Sequence, residues 1–371
     1  MTERPNPDLL TAARESRGRS QTEVAAALNV TQGLISKAEH GLVDLSAQQI
    51  DLLAEFLGYP SALFYEPGRA KVAGSACLYH RKRKTLPAKI LTALNAEMEL
   101  RRVSVRRLLN GIDIGTQRMF HTMDPDEYGG SPESVARAMR AAWRVPAGPI
   151  DNMTALIESA GGVILTSDFG TNKLMGMSCW ESDSPPIFYL NDRMATADLR
   201  WTLAHELGHI TMHAVPPLGD PEQEADAFAA EFLAPSALIT PDLRRLVFDR
   251  LPALKMVWKL SMKALIMRAD KLGTIDRTQA TRLYKQYSAR GYNEVEPYPV
   301  AAEPATIVRS AVDVHQREHG YTPEEISETV FYLHAEEFRE RIAPLVDYTS
   351  VISLFPGSPA PSGRSGFPGD R

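Results

Sequence analysis

The sequence predicts a mainly helical chain with a small β-sheet, an α+β layout in which an all-α amino-terminal domain precedes a sheet-and-helix domain and a helical C-terminal region. Three observations predict it. The first 66 residues hold short apolar runs at helical spacing with capping residues between them; the middle holds three short β-type runs followed by a long helical stretch carrying His-Glu-Leu-Gly-His; and the chain after Pro235 returns to helical periodicity. The 371 residues suffice for two or three domains with proper cores.

Leu9, Leu10 and Ala13 fit a first helix, and Ser20-Gln-Thr-Glu23 is a capping box that starts a second carrying Val24, Ala25 and Leu28. Asn29 and Val30 make the turn. Thr31 opens a third helix ending near Gly41, and Ser46 to Leu57 is a fourth, with Ile50, Leu53 and Leu57 inward. Short helices with a tight turn between the second and third are a helix-turn-helix arrangement, whose third helix enters the DNA major groove at its amino-terminal end. Residues Gln21-Thr-Glu-Val-Ala and Val30-Thr-Gln-Gly-Leu-Ile-Ser-Lys-Ala-Glu-His-Gly41 resemble the Cro/C1 (XRE) repressor family over the whole module. The resemblance implies a double-stranded DNA operator as partner, with Gln21 on a phosphate and Thr31, Gln32, Ser36 and Lys37 facing the duplex. Gln32 is the candidate base reader, because its amide can pair with an adenine edge. Gly33 stands where a base-contacting side chain is common, so direct readout is expected to be sparse.

Charge bears on that reading. Residues 1–66 carry five Lys/Arg against nine acids, and phosphate neutralisation supplies much of DNA affinity, so the module alone should bind weakly. From Arg69 to Arg107 the sign reverses, with His80-Arg-Lys-Arg-Lys84 and Arg101, Arg102, Arg106 and Arg107. This run is either a solvated linker face or the source of the missing phosphate contacts. A homodimer would also double the footprint.

Leu86 to Leu109 predicts a long helix and Ser131 to Trp143 another, before Pro146 and Pro149 interrupt. Ile150 to Ala160 is a helix closed by Gly161-Gly162, and Val163–Leu165, Met175–Trp180 and Ile187–Leu190 are strands of a small sheet whose edge suits an extended peptide. Trp201, Leu203, Leu207 and Ile210 then form the apolar stripe of the next helix.

That helix carries the chemistry. His205 and His209 are four apart, so they stand one above the other on one face and can share a metal. Zn²⁺ lowers the pKa of a bound water from 15.7 to about 7, and Glu206 is placed to accept the proton. A catalytic zinc needs a third protein ligand. It is sought in Asp220-Pro-Glu-Gln-Glu-Ala-Asp-Ala-Phe-Ala-Ala-Glu-Phe-Leu-Ala-Pro235, a second helix with Pro221 in its first turn and Phe228, Phe232 and Leu233 buried. Glu222 and Asp226 are four apart and both can look at the metal, Glu222 as ligand and Asp226 as the acceptor behind a histidine. Glu224 points about 200° away and is read first as solvated, with a ligand role as its alternative, and Glu231 is read as solvated too. His213 continues the four-residue series as a rival ligand; the plainer reading is a histidine at a helix C-terminus interacting with its dipole.

His-Glu-Leu-Gly-His followed by Glu-x-x-Ala-Asp-x-Phe-Ala-Ala-Glu-Phe-Leu-x-Pro resembles the ImmA/IrrE metallopeptidases, which cleave repressors of the helix-turn-helix type. The resemblance implies a zincin-like peptidase domain, zinc as cofactor, His205, His209 and Glu222 as its ligands, Glu206 as the base and a repressor protein as substrate. Ala234 departs from the methionine common there. The layout is similar to that of short-chain fatty acyl-CoA assimilation regulators.

The expected domains are a helix-turn-helix domain at 1–66, a basic helical linker at 67–130, a zinc peptidase domain at 131–240, a helical C-terminal region at 241–350 and a disordered tail at 351–371, rich in Pro, Gly and Ser. In the C-terminal region Leu254 to Arg268 reads as one helix with Val257, Leu260 and Leu265 packed, and Thr322 to Ile342 as a helical pair. Two cysteines argue against a disulfide scaffold; no apolar run is long enough for a membrane and no signal peptide is recognisable, so a cytoplasmic protein is expected. The functional expectation is a DNA-binding regulator with a zinc endopeptidase acting in trans or in cis. The competing one is a non-proteolytic repressor, activator or antitoxin-like protein whose zinc fold is a sensor or scaffold.

Overall fold

A computed structural model of the chain describes residues 4–67, 86–181, 184–213 and 219–342. The basic run His80–Lys84 and the tail at 351–371 lie outside the described residues.

The amino-terminal module is α1 (Pro7–Ser16), α2 (Gln21–Ala27), α3 (Gln32–Glu39) and α4 (Ala47–Leu57), closed by a 3₁₀ turn at Ser61–Tyr65. Each boundary has a local cause. Asn6, Ser20, Thr31 and Ser46 each accept a backbone N–H in the first turn, and Ser20/Glu23 and Ser46/Gln49 form reciprocal capping boxes. Leu9, Leu10, Val24, Ile35, Ile50, Leu53 and Leu57 fill the space between the helices.

Next come α5 (Ala88–Leu108), α6 (Pro132–Ala142) and α7 (Met153–Ser159), then β1 (Val163–Ser167), β2 (Gly176–Cys179) and β3 (Ile187–Asn191). The sheet order is β1-β3-β2, with β1 parallel and β2 antiparallel to β3. The helix pair α8 (Thr196–Met212) and α9 (Pro221–Leu233) follows, then α10 (Ser236–Leu243), α11 (Leu251–Trp258), α12 (Met262–Lys271), α13 (Arg277–Ala289) and α14 (Ile307–Arg317). A short α15 (Pro323–Glu325) runs into a π turn at Ile326–Val330, and α16 (Ala335–Arg341) completes the described chain. None of the described helices is long and apolar enough to cross a membrane.

Two hydrophobic cores meet at the sheet. Strand side chains alternate between its faces, and Val163, Leu165, Met177, Cys179, Ile187 and Tyr189 face a core built from α1–α5, α14 and the 326–342 segment. Ile164, Phe188 and Leu190 face the other core, which contains α6–α9 and α11–α13. The amino-terminal module therefore sits on the far side of the sheet from α8. Its ties are specific: Arg17 pairs with Glu337 at 2.6 Å and donates to the Leu57 and Gly58 carbonyls, and the Tyr332 hydroxyl donates to Glu66.

Four expectations are corrected here. Arg101 and Arg102 are buried, paired with Glu97 and with Glu99 and Glu181 respectively, so these two guanidiniums neutralise local carboxylates and face no duplex. Leu254 to Arg268 is two helices, because Lys259 takes a left-handed φ of 53° and Ser261 caps a new start; Val257 consequently points outward, at 54% exposure, while Leu260 and Leu265 pack. Glu231 is buried, because Arg268 and Arg137 pair with it and the Ser236 backbone N–H donates to it. Burial alone would raise its pKa, but Arg268 and the Ser236 contacts outweigh that and hold it below the usual glutamate value. Glu224, the fourth, belongs to the metal centre.

Candidate metal centre and DNA-reading helix

Helix α8 brings His205 and His209 to one face, and α9 crosses it closely enough for Glu222, in the first turn of α9, to meet both rings. The crossing depends on Gly208: a Cβ there would lie 3.1 Å from the Phe228 ring and 3.3 Å from the Ala225 backbone. Asp220 caps α9 and Pro221 occupies its first turn, which fixes where Glu222 begins its reach. Gly176 does the same for β2, since a Cβ would meet Thr202 of α8 at 2.7 Å.

The ligand atoms converge. His205 Nε2 and His209 Nε2 are 3.0 Å apart, and the Glu222 carboxylate oxygens lie 3.3 Å from His209 Nε2 and 3.8 Å from His205 Nε2. Two donors about 2.05 Å from a tetrahedral zinc stand roughly 3.3 Å apart, so the spacing fits that shell. Proton bookkeeping gives the same answer. The Asp226 carboxylate lies 3.0 Å from His205 Nδ1 and can only accept, so His205 carries a proton on Nδ1, and in its neutral form Nε2 is the nitrogen left to bind a metal. Glu224 Oε2 lies 2.9 Å from His213 Nε2, which must therefore donate; His213 Nδ1 then accepts from His209 Nδ1, 2.9 Å away, and His209 Nε2 is bare as well. As neutral ligands the two rings would turn two lone pairs and a carboxylate oxygen on one point, which suits a cation. Among the described residues these three are the group able to hold a metal ion.

Burial and nearby charge balance oppositely at His205 and His213. Burial pulls the His205 pKa down, but the Asp226, Glu206 and Glu222 carboxylates outweigh it and hold the ring above the ordinary imidazole value. At His213 burial wins over Glu224, and the pKa is lowered.

Glu206 is not one of the trio, although its carboxylate is close enough to help raise the His205 pKa. It is buried, and its Oε2 accepts from the Ser178 hydroxyl of β2 at 2.7 Å. Ser178, His213 and Gly208 are site residues that sequence reasoning did not single out in these roles. Gly208 and His213 left sequence signals: a glycine inside a helix costs about 1 kcal/mol and needs a packing reason, and His213 continues the four-residue histidine series. Glu224, expected in solvent, is instead drawn in by buried His213, which lies one turn of helix beyond His209 and needs an acceptor.

At the other site, Thr31 caps α3 and Gln32 opens it, exposed. Gln32 Nε2 donates to Gln21 Oε1 at 2.6 Å, and Gln21 Nε2 donates to Glu39 at 2.8 Å, so the Gln21 amide is held between α3 residues. Gly33 and Lys37 are exposed; Gln21 and Ser36 are half-buried. Of the module's basic residues, Arg14 is tied to Glu39 and Arg17 to Glu337, which leaves Lys37 as an exposed cation on α3 itself. Lys37→Ala is expected to flatten the plot of log affinity against log salt, measured on generic duplex DNA, by about 0.9. An unchanged slope would take Lys37 off the DNA face.

The fold and site define a class: a helix-turn-helix domain joined to a domain of the HExxH metallohydrolase kind. Family models give the particular families. Residues 10–64 match the helix-turn-helix family, and residues 157–270 match a peptidase family described as the IrrE N-terminal-like domain. The chain is thus an XRE-type helix-turn-helix domain fused to an ImmA/IrrE domain. No curated protein matches it.

Proposed function

We propose that this chain is a DNA-binding regulator that binds duplex operator DNA as a homodimer, and that its second domain is a zinc endopeptidase hydrolysing a peptide bond in a regulatory protein, in trans or within the chain itself. The observation that carries the peptidase reading is the convergence of His205, His209 and Glu222 with Glu206 held beside them but outside the ligand trio. Zinc, when bound, supplies Lewis-acid activation of water and of a carbonyl oxygen. The remaining work belongs to the chain. Asp226 fixes the orientation of His205, Glu222 supplies the negative charge that a divalent ion needs in a buried place, and Glu206 is the proton acceptor, its carboxylate aimed by Ser178. The few cations on α3 support the homodimer reading, because a second copy would double the phosphate contacts.

The test uses the full chain, zinc-loaded, as wild type and Glu206→Gln, incubated alone and with β-casein, with new termini read by intact mass. Wild type is expected to cut itself or the casein, and the variant to retain zinc while cutting about 10²–10⁴-fold more slowly. Equal cleavage by the two removes Glu206 as the base. No cleavage by either overturns the endopeptidase and leaves a metal-binding sensor.

A further inference from the structure

His213 and Glu224 do not act on substrate, and no ligand role is needed for them; they sit behind His209 as a buried pair whose hydrogen bonds run in one direction. The sequence puts His213 four residues after His209, at the C-cap of α8, where its backbone N–H donates to the His209 carbonyl at 3.0 Å and its ring is carried under the His209 ring. The ring is 1% exposed, so water does not satisfy it. Its two nitrogens have His209 Nδ1 and Glu224 Oε2 as neighbours, each at 2.9 Å.

We infer that His213 and Glu224 form a positioning dyad that locks His209 into the tautomer able to bind the metal. A carboxylate accepts and never donates, so Glu224 draws the His213 proton to Nε2. This exposes a lone pair at His213 Nδ1, which accepts the His209 Nδ1 proton and leaves His209 Nε2 bare toward Glu222 and His205. The other ligand ring is set by a different device, the single carboxylate of Asp226 on His205. The two arms differ in exposure: Asp226 is 45% exposed at its side chain, whereas His213 is buried, so the His209 arm is the one shielded from competition by water.

The inference rests on the metal reading of the site, and zinc affinity, measured by competition with a chromophoric chelator on the full chain, separates the two. His213→Leu leaves the His209 Nδ1 proton without an acceptor and is expected to weaken zinc about 10–100-fold. His213→Asn places an amide oxygen near the former Nδ1 and is expected to restore most of that loss. Glu224→Gln keeps an acceptor and should stay near wild type, while Glu224→Ala, at a partly exposed position, should fall between. The signature is imidazole ¹⁵N NMR of the zinc-free chain, in which His209 shows the Nδ1–H tautomer in wild type and a mixture in Glu224→Ala. Equal zinc affinity across the series, or equal losses in His213→Leu and His213→Asn, overturns the dyad. A wild type that takes up no zinc overturns the metal reading itself.

Discussion

Replacing Glu222 by alanine is expected to abolish zinc-dependent stabilisation of the chain. The ligand trio is two neutral imidazoles and one carboxylate, so Glu222 carries the negative charge among them, in a place where His209 is wholly buried. Without it a divalent ion meets two uncharged rings in a poorly solvated pocket, and an uncompensated buried charge is costly. Structural zinc sites bind with about 10–16 kcal/mol over four ligands, or about 2.5–4 kcal/mol per ligand, which puts the loss at roughly 10²–10³-fold in affinity. Zinc at 100 times its dissociation constant stabilises a folded protein by about 2.7 kcal/mol. Wild type should therefore melt several degrees higher with zinc than with a chelator, and Glu222→Ala should melt at one temperature in both. A variant that keeps the zinc-dependent rise would transfer the third-ligand role elsewhere.

Gly208→Leu is expected to do comparable damage without touching a ligand. Its Cβ alone would sit 3.1 Å from Phe228 and 3.3 Å from the Ala225 Cα, and the rest of a leucine side chain would enter the stacked pair Phe228 and Phe232. Gly208→Ala needs a shift of a few tenths of an ångström, part of it by the Ala225 backbone, against a gain in helix propensity worth about 1 kcal/mol, so it should be much milder than leucine. Leucine forces α8 and α9 apart, at about 1–3 kcal/mol of overpacking. Because Glu222 rides on α9 and both histidines on α8, that separation also spreads the ligand trio. Thermal unfolding and zinc titration should fall together in the leucine variant; loss of stability with wild-type zinc affinity would mean the crossing does not set the ligand geometry.

What the sequence made legible follows from how local the cause was. Caps such as Ser20 and Ser46, and the four-residue spacing of His205 and His209, act within a few residues; the structure has the helices those caps start and puts both rings on one face of α8, with Glu222 brought to them from α9. Glu231 is misread as surface because its partners, Arg268 and Arg137, lie far along the chain, and Arg102 because Glu181, which joins the nearby Glu99 in pairing with it, is equally distant. Glu224 was misread for a related reason: its helical angle points away from Glu222, but His213 reaches it from α8. Helix α14 was overlooked although Ile307, Val308, Ala311 and Val312 mark its buried face plainly. Ser178 left no signal, because one serine in a strand is ordinary until the strand is seen against Glu206.

The sheet with a core on each face has a consequence for anyone who would dissect the chain. Scissors applied at the ends of the two family matches, near 64 and near 157, would strip the amino-terminal helices of the α5 floor they rest on and lay bare Val163, Leu165, Ile187 and Tyr189 on the remaining piece. Two units in ancestry, the helix-turn-helix and the sheet domain share one hydrophobic wall, and a calorimeter should register their melting as one event.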